Sequence, residues 1–440
     1  MKYYSTNNQA PIADLHKAVV KGLAEDRGLY MSEKINKLPK EFFDNIEKMS
    51  FQEIAYTVAS AFFGEDVDPD ALHDIVYDTL QFDCPVVNVK DNIYTLELFH
   101  GPTLAFKDVG ARFMARLLQY FIKQENNHKE VNVLVATSGD TGSAVANGFL
   151  GVDGIHVYVL YPKGKVSPIQ ECQFTTLGKN ITAIEVDGVF DDCQALVKNA
   201  FMDAELNEHM KLTSANSINV ARFLPQAFYY FNAYARMKEI ANTQHLSPNT
   251  QLVMCVPSGN FGNICAALFG HEMGLPIKRF IAANNANDIF YNYLQTGKYE
   301  PKPSKQTLAN AMDVGDPSNF ARIYDLYGKS HAKITSLISG ATYSDEQIKA
   351  TMRECYKDSG YILDPHGACG YQALKDGLQA GEVGVFCETA HPAKFKEKVD
   401  DILGIDVEIP ERLAAFMRGQ KQSVPMSKDF ADFKAFLMKQ

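Results

Sequence analysis

Short apolar runs rich in β-branched residues recur along the chain, and most of them give way to small polar or glycine-containing turns and then to apolar positions at helical spacing. The runs at 93–99, 131–136, 155–160, 181–186, 251–256, 279–283 and 382–387 are short for helices and largely apolar, so they read as strands buried on both sides. Between them, 109–124 places Phe113, Leu117, Leu118 and Phe121 on one helical face, and further helices are expected at 191–202, 223–240, 264–272 and 368–378. This alternation predicts an α/β chain with parallel sheets covered by helices on both faces. The first 90 residues differ, with helical spacing at 12–22, 41–49, 51–63 and 71–80 and an acidic turn at 64–70. They read as a mostly helical extension, in which Arg27 lies on a surface turn. The tail after Ile409 reads as helical and charged, with 421–428 a surface loop.

Composition narrows the classes. At 440 residues, with 46% hydrophobic and 22% charged positions, the chain has enough apolar mass for more than one core and too much for disorder. A formal net charge of −10 argues against a nucleic-acid partner, while leaving room for an anionic small molecule in a local pocket. No apolar run is long enough to span a bilayer, and MKYYSTNNQA lacks the apolar core of a signal peptide, so no membrane partner and a cytoplasmic location are expected. The eight cysteines are scattered, with no CxxC pair and no Cys/His cluster at ligand spacing, so reduced thiols and no metal are expected.

The candidate chemistry centres on Lys107. In LELFHGPTLAFKDVGAR (96–112) a strand ends in a His-Gly-Pro turn, and Leu104, Ala105 and Phe106 lead into one lysine. A lysine in a partly apolar setting loses solvation of its charged form and becomes a usable nucleophile toward a carbonyl, which suits Schiff-base chemistry. The same residues also fit a helix N-terminus whose lysine snorkels, with Asp108 as a first-turn acid.

Two strand-turn-helix units follow, one with Ser138, Gly139, Asp140, Thr141 and Gly142 in its turn, the other with Ser258, Gly259, Asn260, Phe261, Gly262 and Asn263. Such turns present amides and a helix dipole to an anion, so two anion positions are expected; no Walker-type lysine follows, so a nucleoside triphosphate is not. Glycine needed for turn geometry alone is the alternative, though it does not account for the repeated Ser and Asn/Asp. A third polar cluster, Asn216, Ser217 and Arg222 within SANSINVAR (214–222), precedes a long helix and reads as ligand-binding more than capping. His366 and His391 each sit beside a proline in a turn, where a hydrogen-bonded structural role outweighs a catalytic one.

Taken in order, HGPTLAFKD, ATSGDTG, SANSINVARFLPQ, PSGNFGN and ETAHPAKF, with the opening YYSTNNQAP, resemble the fold type II family of pyridoxal-phosphate enzymes over essentially the whole chain. The resemblance implies two doubly wound sheet domains of the tryptophan synthase β-subunit-like type behind the N-terminal extension: 1–90 the extension, 91–210 a smaller domain with Lys107, and 211–440 a larger one. It implies that Lys107 holds pyridoxal 5'-phosphate and relays protons, that Gly259, Asn260, Phe261, Gly262 and Asn263 cradle the cofactor phosphate, and that Thr389 faces the pyridine nitrogen. Ser138 and Thr141 would bind substrate, and Asn216, Ser217 and Arg222 would grip a substrate phosphate, Arg being suited to it by its two parallel donors. Relatives such as cysteine synthase carry asparagine at the position of Asp140, where a carboxylate cannot donate the same bond, so the resemblance implies Asp140 at the cofactor without that bond. The implied reaction converts O-phospho-L-homoserine and water to L-threonine and phosphate by γ-elimination and β-addition of water, the last step of threonine biosynthesis, in a monomer or homodimer. A serine or threonine dehydratase or a cysteine synthase is the near alternative, and a non-catalytic phospholigand-binding protein the distant one.

Overall fold

The computed structural model describes residues 1–127, 129–247 and 249–440. Contacts gather the chain into two compact units, each built from separated stretches: a larger one of residues 1, 32–101 and 223–408, and a smaller one of residues 2–31, 102–222 and 409–440. The N-terminal 90 residues are thus divided between the units, and the C-terminal tail returns to the smaller one.

The larger unit is organised on a six-stranded sheet in the order Ile338–Thr342, Arg279–Asn284, Gln251–Pro257, Glu382–Glu388, Ile93–Glu97, Val86–Lys90. All neighbours are parallel except the last pair, an antiparallel hairpin at the edge. Every residue of the central strand Glu382–Glu388 is buried, as a strand covered by helices on both faces requires. Helix Phe51–Phe63 starts on a capping box, with Ser50 Oγ accepting from the Glu53 amide and Glu53 Oε2 accepting from the Ser50 amide at 2.7 Å. The single helix expected over 223–240 is instead a turn of helix Val220–Phe223, a 3-10 turn Leu224–Gln226 and a helix Ala227–Gln244. Pro225 has no amide to donate and its ring crowds the preceding turn, so the α ladder breaks there.

The acid Glu382 at the start of the central strand ties down its neighbour. Its carboxylate accepts from Arg279 Nη2 at 2.7 Å, Arg279 Nε at 3.0 Å, Lys278 Nζ at 2.9 Å and the Gln379 amide at 2.8 Å. The Arg279 bonds, opposed by burial and helped by Lys278, draw its pKa from 4.5 down to about 2. A depressed carboxylate contributes stability that is present above its unfolded pKa and is lost as pH falls through the folded one. Glu382→Gln is therefore expected to cost on the order of 2 kcal/mol at neutral pH and to flatten the decline in melting temperature between pH 4.5 and about 2. Thermal melts of both proteins across that range measure it.

The smaller unit holds a five-stranded, fully parallel sheet in the order Val424–Ser427, Ile181–Asp187, Ile155–Pro162, Val131–Ala136, Lys211–Ser214. Leu134, Leu160, Ile184, Val186 and Leu196 share one core with Phe433 and Leu437 of the last helix. The surface loop expected at 421–428 is corrected here: Val424–Ser427 pairs with Ile184–Asp187 as an edge strand, where Pro425 is tolerated and Met426 is buried. Lys421 anchors it with ion pairs to Glu171 at 2.7 Å and Glu185 at 2.6 Å. Helices Lys107–Gln124 and Asp140–Phe149 lie so close that a Cβ on Gly148 would stand 3.1 Å from the Ala111 backbone.

Candidate active site

Within the smaller unit, Lys107 opens helix Lys107–Gln124, two residues earlier than the apolar spacing alone suggests, and is half-buried. Its Nζ donates to Thr141 Oγ1 at 2.8 Å and lies 5.5 Å from the Phe106 ring. Asp108, fully buried, accepts from the Thr103 amide at 2.9 Å and from Thr103 Oγ1 at 2.5 Å, which locks the loop leading to the lysine. Leu104 in that loop takes φ 60. Apolar residues seldom hold the left-handed region, and only Leu104 and Phe261 among the described non-glycine residues with positive φ are apolar. Both stand on the two segments expected to carry the cofactor, as backbone strain at functional turns would have it.

The turn after strand Val131–Ala136 is held from inside. Thr137 Oγ1 accepts from the amides of Gly139 at 2.9 Å and Gly142 at 2.8 Å, so those two donors are already satisfied and cannot serve an anion. The two turns therefore differ in their free donors: this one keeps Gly139 and Gly142 for its own framework and offers the side chains of Ser138 and Thr141, both half-buried, and Thr141 already receives the lysine. Asp140 is buried with Oδ1 accepting from Gln170 Nε2 at 3.0 Å, which fixes it as an acceptor. Thr137 has a legible signal, a hydroxyl residue at a strand end just ahead of a glycine turn. Gln170, thirty positions away, has none.

The 214–222 run divides into buried framework groups and half-buried polar groups. Ser214 and Asn219 are buried and bind backbone: Asn219 Nδ2 donates to Val19 O at 2.9 Å and Ser214 O at 3.2 Å, and Asn219 Oδ1 accepts from the Ala221 amide at 3.0 Å. Asn216 and Ser217 are half-buried, with Asn216 Nδ2 donating to Ala136 O at 3.1 Å beside the Thr137 turn. Arg222 is 2% exposed, and its guanidinium and carbonyl pack on the bare Cα of Gly110, where a Cβ would collide with both.

In the larger unit, the turn between strand Gln251–Pro257 and helix Gly262–Glu272 is built the other way round. Ser258 Oγ donates to Asn263 Oδ1 at 3.2 Å, Asn263 Nδ2 donates to Pro257 O at 2.8 Å, and Asn284 Nδ2 donates to Ser258 O at 2.9 Å. Asn260 Oδ1 accepts from the Ser318 amide at 2.7 Å. Side chains thus hold the turn while, among the described residues, the amides of Gly259, Phe261, Gly262 and Asn263 donate to no protein acceptor. Amides left open at a helix N-terminus, with Phe261 turned at φ 66, fit a phosphate. Thr389 is buried one residue beyond strand Glu382–Glu388, which neighbours Gln251–Pro257 in parallel, so hydroxyl and turn share the carboxyl end of the sheet.

Gly259 cannot be replaced cheaply. A Cβ there would lie 2.5 Å from Ala311 O and 2.9 Å from Met312 Cα, both backbone atoms. Gly259→Ala is expected to move the turn and weaken cofactor binding roughly tenfold or more, at about 1–3 kcal/mol of strain. Titration with pyridoxal phosphate measures it, and an unchanged dissociation constant would remove the turn from the site.

The two histidines take framework positions. His366 Nε2 accepts from the Ala311 amide at 3.1 Å while Nδ1 bonds Asp364 Oδ2 at 2.5 Å; His391 Nδ1 accepts from the Ala393 amide at 3.0 Å. All eight cysteines are free, and no cluster of metal-ligating side chains occurs among the described residues.

Three family patterns match the chain: "Pyridoxal-phosphate dependent enzyme" over residues 82–387, "Threonine synthase N terminus" over 2–80 and "Threonine synthase, C-terminal" over 367–437. Threonine synthase of Serratia marcescens is 43% identical over 438 residues, spanning 100% of this chain and 99% of its own. Among solved structures, threonine synthase from Escherichia coli matches with a TM-score of 0.92 at 43% identity over 100% of both chains. The PLP-bound threonine synthase from Brucella melitensis matches at 0.90 and 33% identity, covering 100% of this chain and 99% of that one.

Proposed function

We propose residue roles from one premise: the chain belongs to the threonine synthase family of pyridoxal-phosphate-dependent enzymes. Its reaction takes O-phospho-L-homoserine and water to L-threonine and phosphate, as a lyase with a small-molecule substrate. When bound, the cofactor supplies an electron-withdrawing ring that makes the protons of an attached amino acid removable. The open amides of Gly259, Phe261, Gly262 and Asn263 take its phosphate, with Asn260 shaping the turn. Thr389 offers the ring nitrogen a neutral hydroxyl, which does not hold a proton there as a carboxylate would.

Lys107 attaches the cofactor and moves protons, and the bond from its Nζ to Thr141 Oγ1 carries this assignment. That hydroxyl gives the amine a resting position, and a single primary amine returning to one place can serve successive proton transfers. Ser138 and Thr141 orient the substrate, Arg222 with Asn216 and Ser217 grips its phosphate, and Asp140, fixed by Gln170, acts as an acceptor beside the cofactor.

No described helix is long and apolar enough to cross a membrane, and a cytoplasmic monomer or homodimer without a nucleic-acid partner completes this reading. The purified chain should show a visible cofactor band and release inorganic phosphate from O-phospho-L-homoserine. Ammonia release from serine or threonine, with no phosphate release, would assign it to the dehydratases instead.

A further inference from the structure

Behind the cofactor residues of the larger unit lies a cluster of buried acids that the roles above leave unused. Glu388 is the last residue of the central strand, directly before Thr389, and is wholly buried. Its Oε1 accepts from the Asp364 amide at 2.8 Å, and its carboxyl fits against Gly367, where any Cβ would overlap it. Asp364, also wholly buried, caps helix Pro365–Gly377: Oδ1 accepts from the Gly367 amide at 2.8 Å, and Oδ2 meets the His366 amide at 3.2 Å and Nδ1 at 2.5 Å. Because His366 Nε2 accepts from the Ala311 amide, the ring proton sits on Nδ1 and is given to Asp364. Ala311 closes the path, since its carbonyl and Met312 Cα are the backbone atoms that press on Gly259.

We propose that Glu388, Asp364 and His366 form a positioning clamp that sets Thr389 in register with the phosphate turn at Gly259. This rests on the assignment of Thr389 and Gly259 to the cofactor. A carboxyl and a carboxylate buried side by side can share one proton, whereas two carboxylates there would repel without solvent to screen them. Burial, and then the charge of Asp364, pushes Glu388 far above the usual carboxylate range. Burial opposes the charge of Asp364 too, but His366 holds that carboxyl below its ordinary value. Glu97 and Tyr361, bonded to each other at 2.6 Å, also face Glu388, and Asp313, raised to about 6 by burial, lies near His366.

The test measures the dissociation constant of pyridoxal phosphate, from its absorbance, for the full chain and two variants at pH 7. Glu388→Gln keeps the side chain's shape and its acceptor oxygen, so it should bind within about threefold of the parent. Glu388→Ala should bind about tenfold more weakly, with a melting curve showing that it remains folded. A tenfold loss in Glu388→Gln as well, or parent-like affinity in Glu388→Ala, would overturn the clamp. A parent that never binds pyridoxal phosphate would instead overturn the family reading, and the clamp with it.

Discussion

Lys107→Ala is expected to lose turnover by roughly four orders of magnitude or more, since one substitution removes both the attachment point and the proton carrier. The protein should stay folded. Alanine is the best helix former at the first position of Lys107–Gln124, and the loop before it is held by the Thr103 bonds to Asp108, not by the lysine. The visible band should shift to that of free or loosely held cofactor, while the melting temperature changes by only a few degrees. Borohydride reduction of the parent followed by peptide mapping should place the label on the peptide containing Lys107. A label on any other lysine would refute the assignment.

Replacing Arg222 by lysine should lower kcat/KM for O-phospho-L-homoserine by about one to two orders of magnitude, the worth of a charge-assisted hydrogen bond of roughly 1.5–3 kcal/mol. Charge is kept, but the planar fork that pairs with two phosphate oxygens is lost. The packing of Arg222 on Gly110 adds a second cost, because the shorter-headed lysine leaves that surface uncovered. Binding of an amino acid without phosphate, read from the cofactor band, should remain nearly unchanged. A framework role for Arg222 predicts the other pattern, with both ligands weakened alike, so measuring the two affinities on one variant separates them.

Much of this molecule is legible locally. Strands such as 131–136 and 251–256 stand out because a covered parallel strand is apolar on both faces, and the turns behind them because glycine and small polar residues serve few other purposes at a strand end. Lys107 stands out for the same reason, a lone charge at the end of an apolar run. The strand Val424–Ser427 does not, since its four residues include a proline and gain strand character only from the free edge of Ile181–Asp187.

The two glycine turns look alike as text and differ in the fold. Thr137 spends two amides of one, while Ser258 and Asn263 bond each other and leave the amides of the second open. Glu388 and Asp364 stand twenty-four positions apart, and nothing along the chain joins them. Periodicity and turn chemistry, which act over a few residues, determined the kinds of element and singled out Lys107 as the candidate lysine. Which polar groups are already satisfied, and which acid keeps its proton, depends on desolvation and on partners brought together from distant positions, and only the packed tertiary structure decides that.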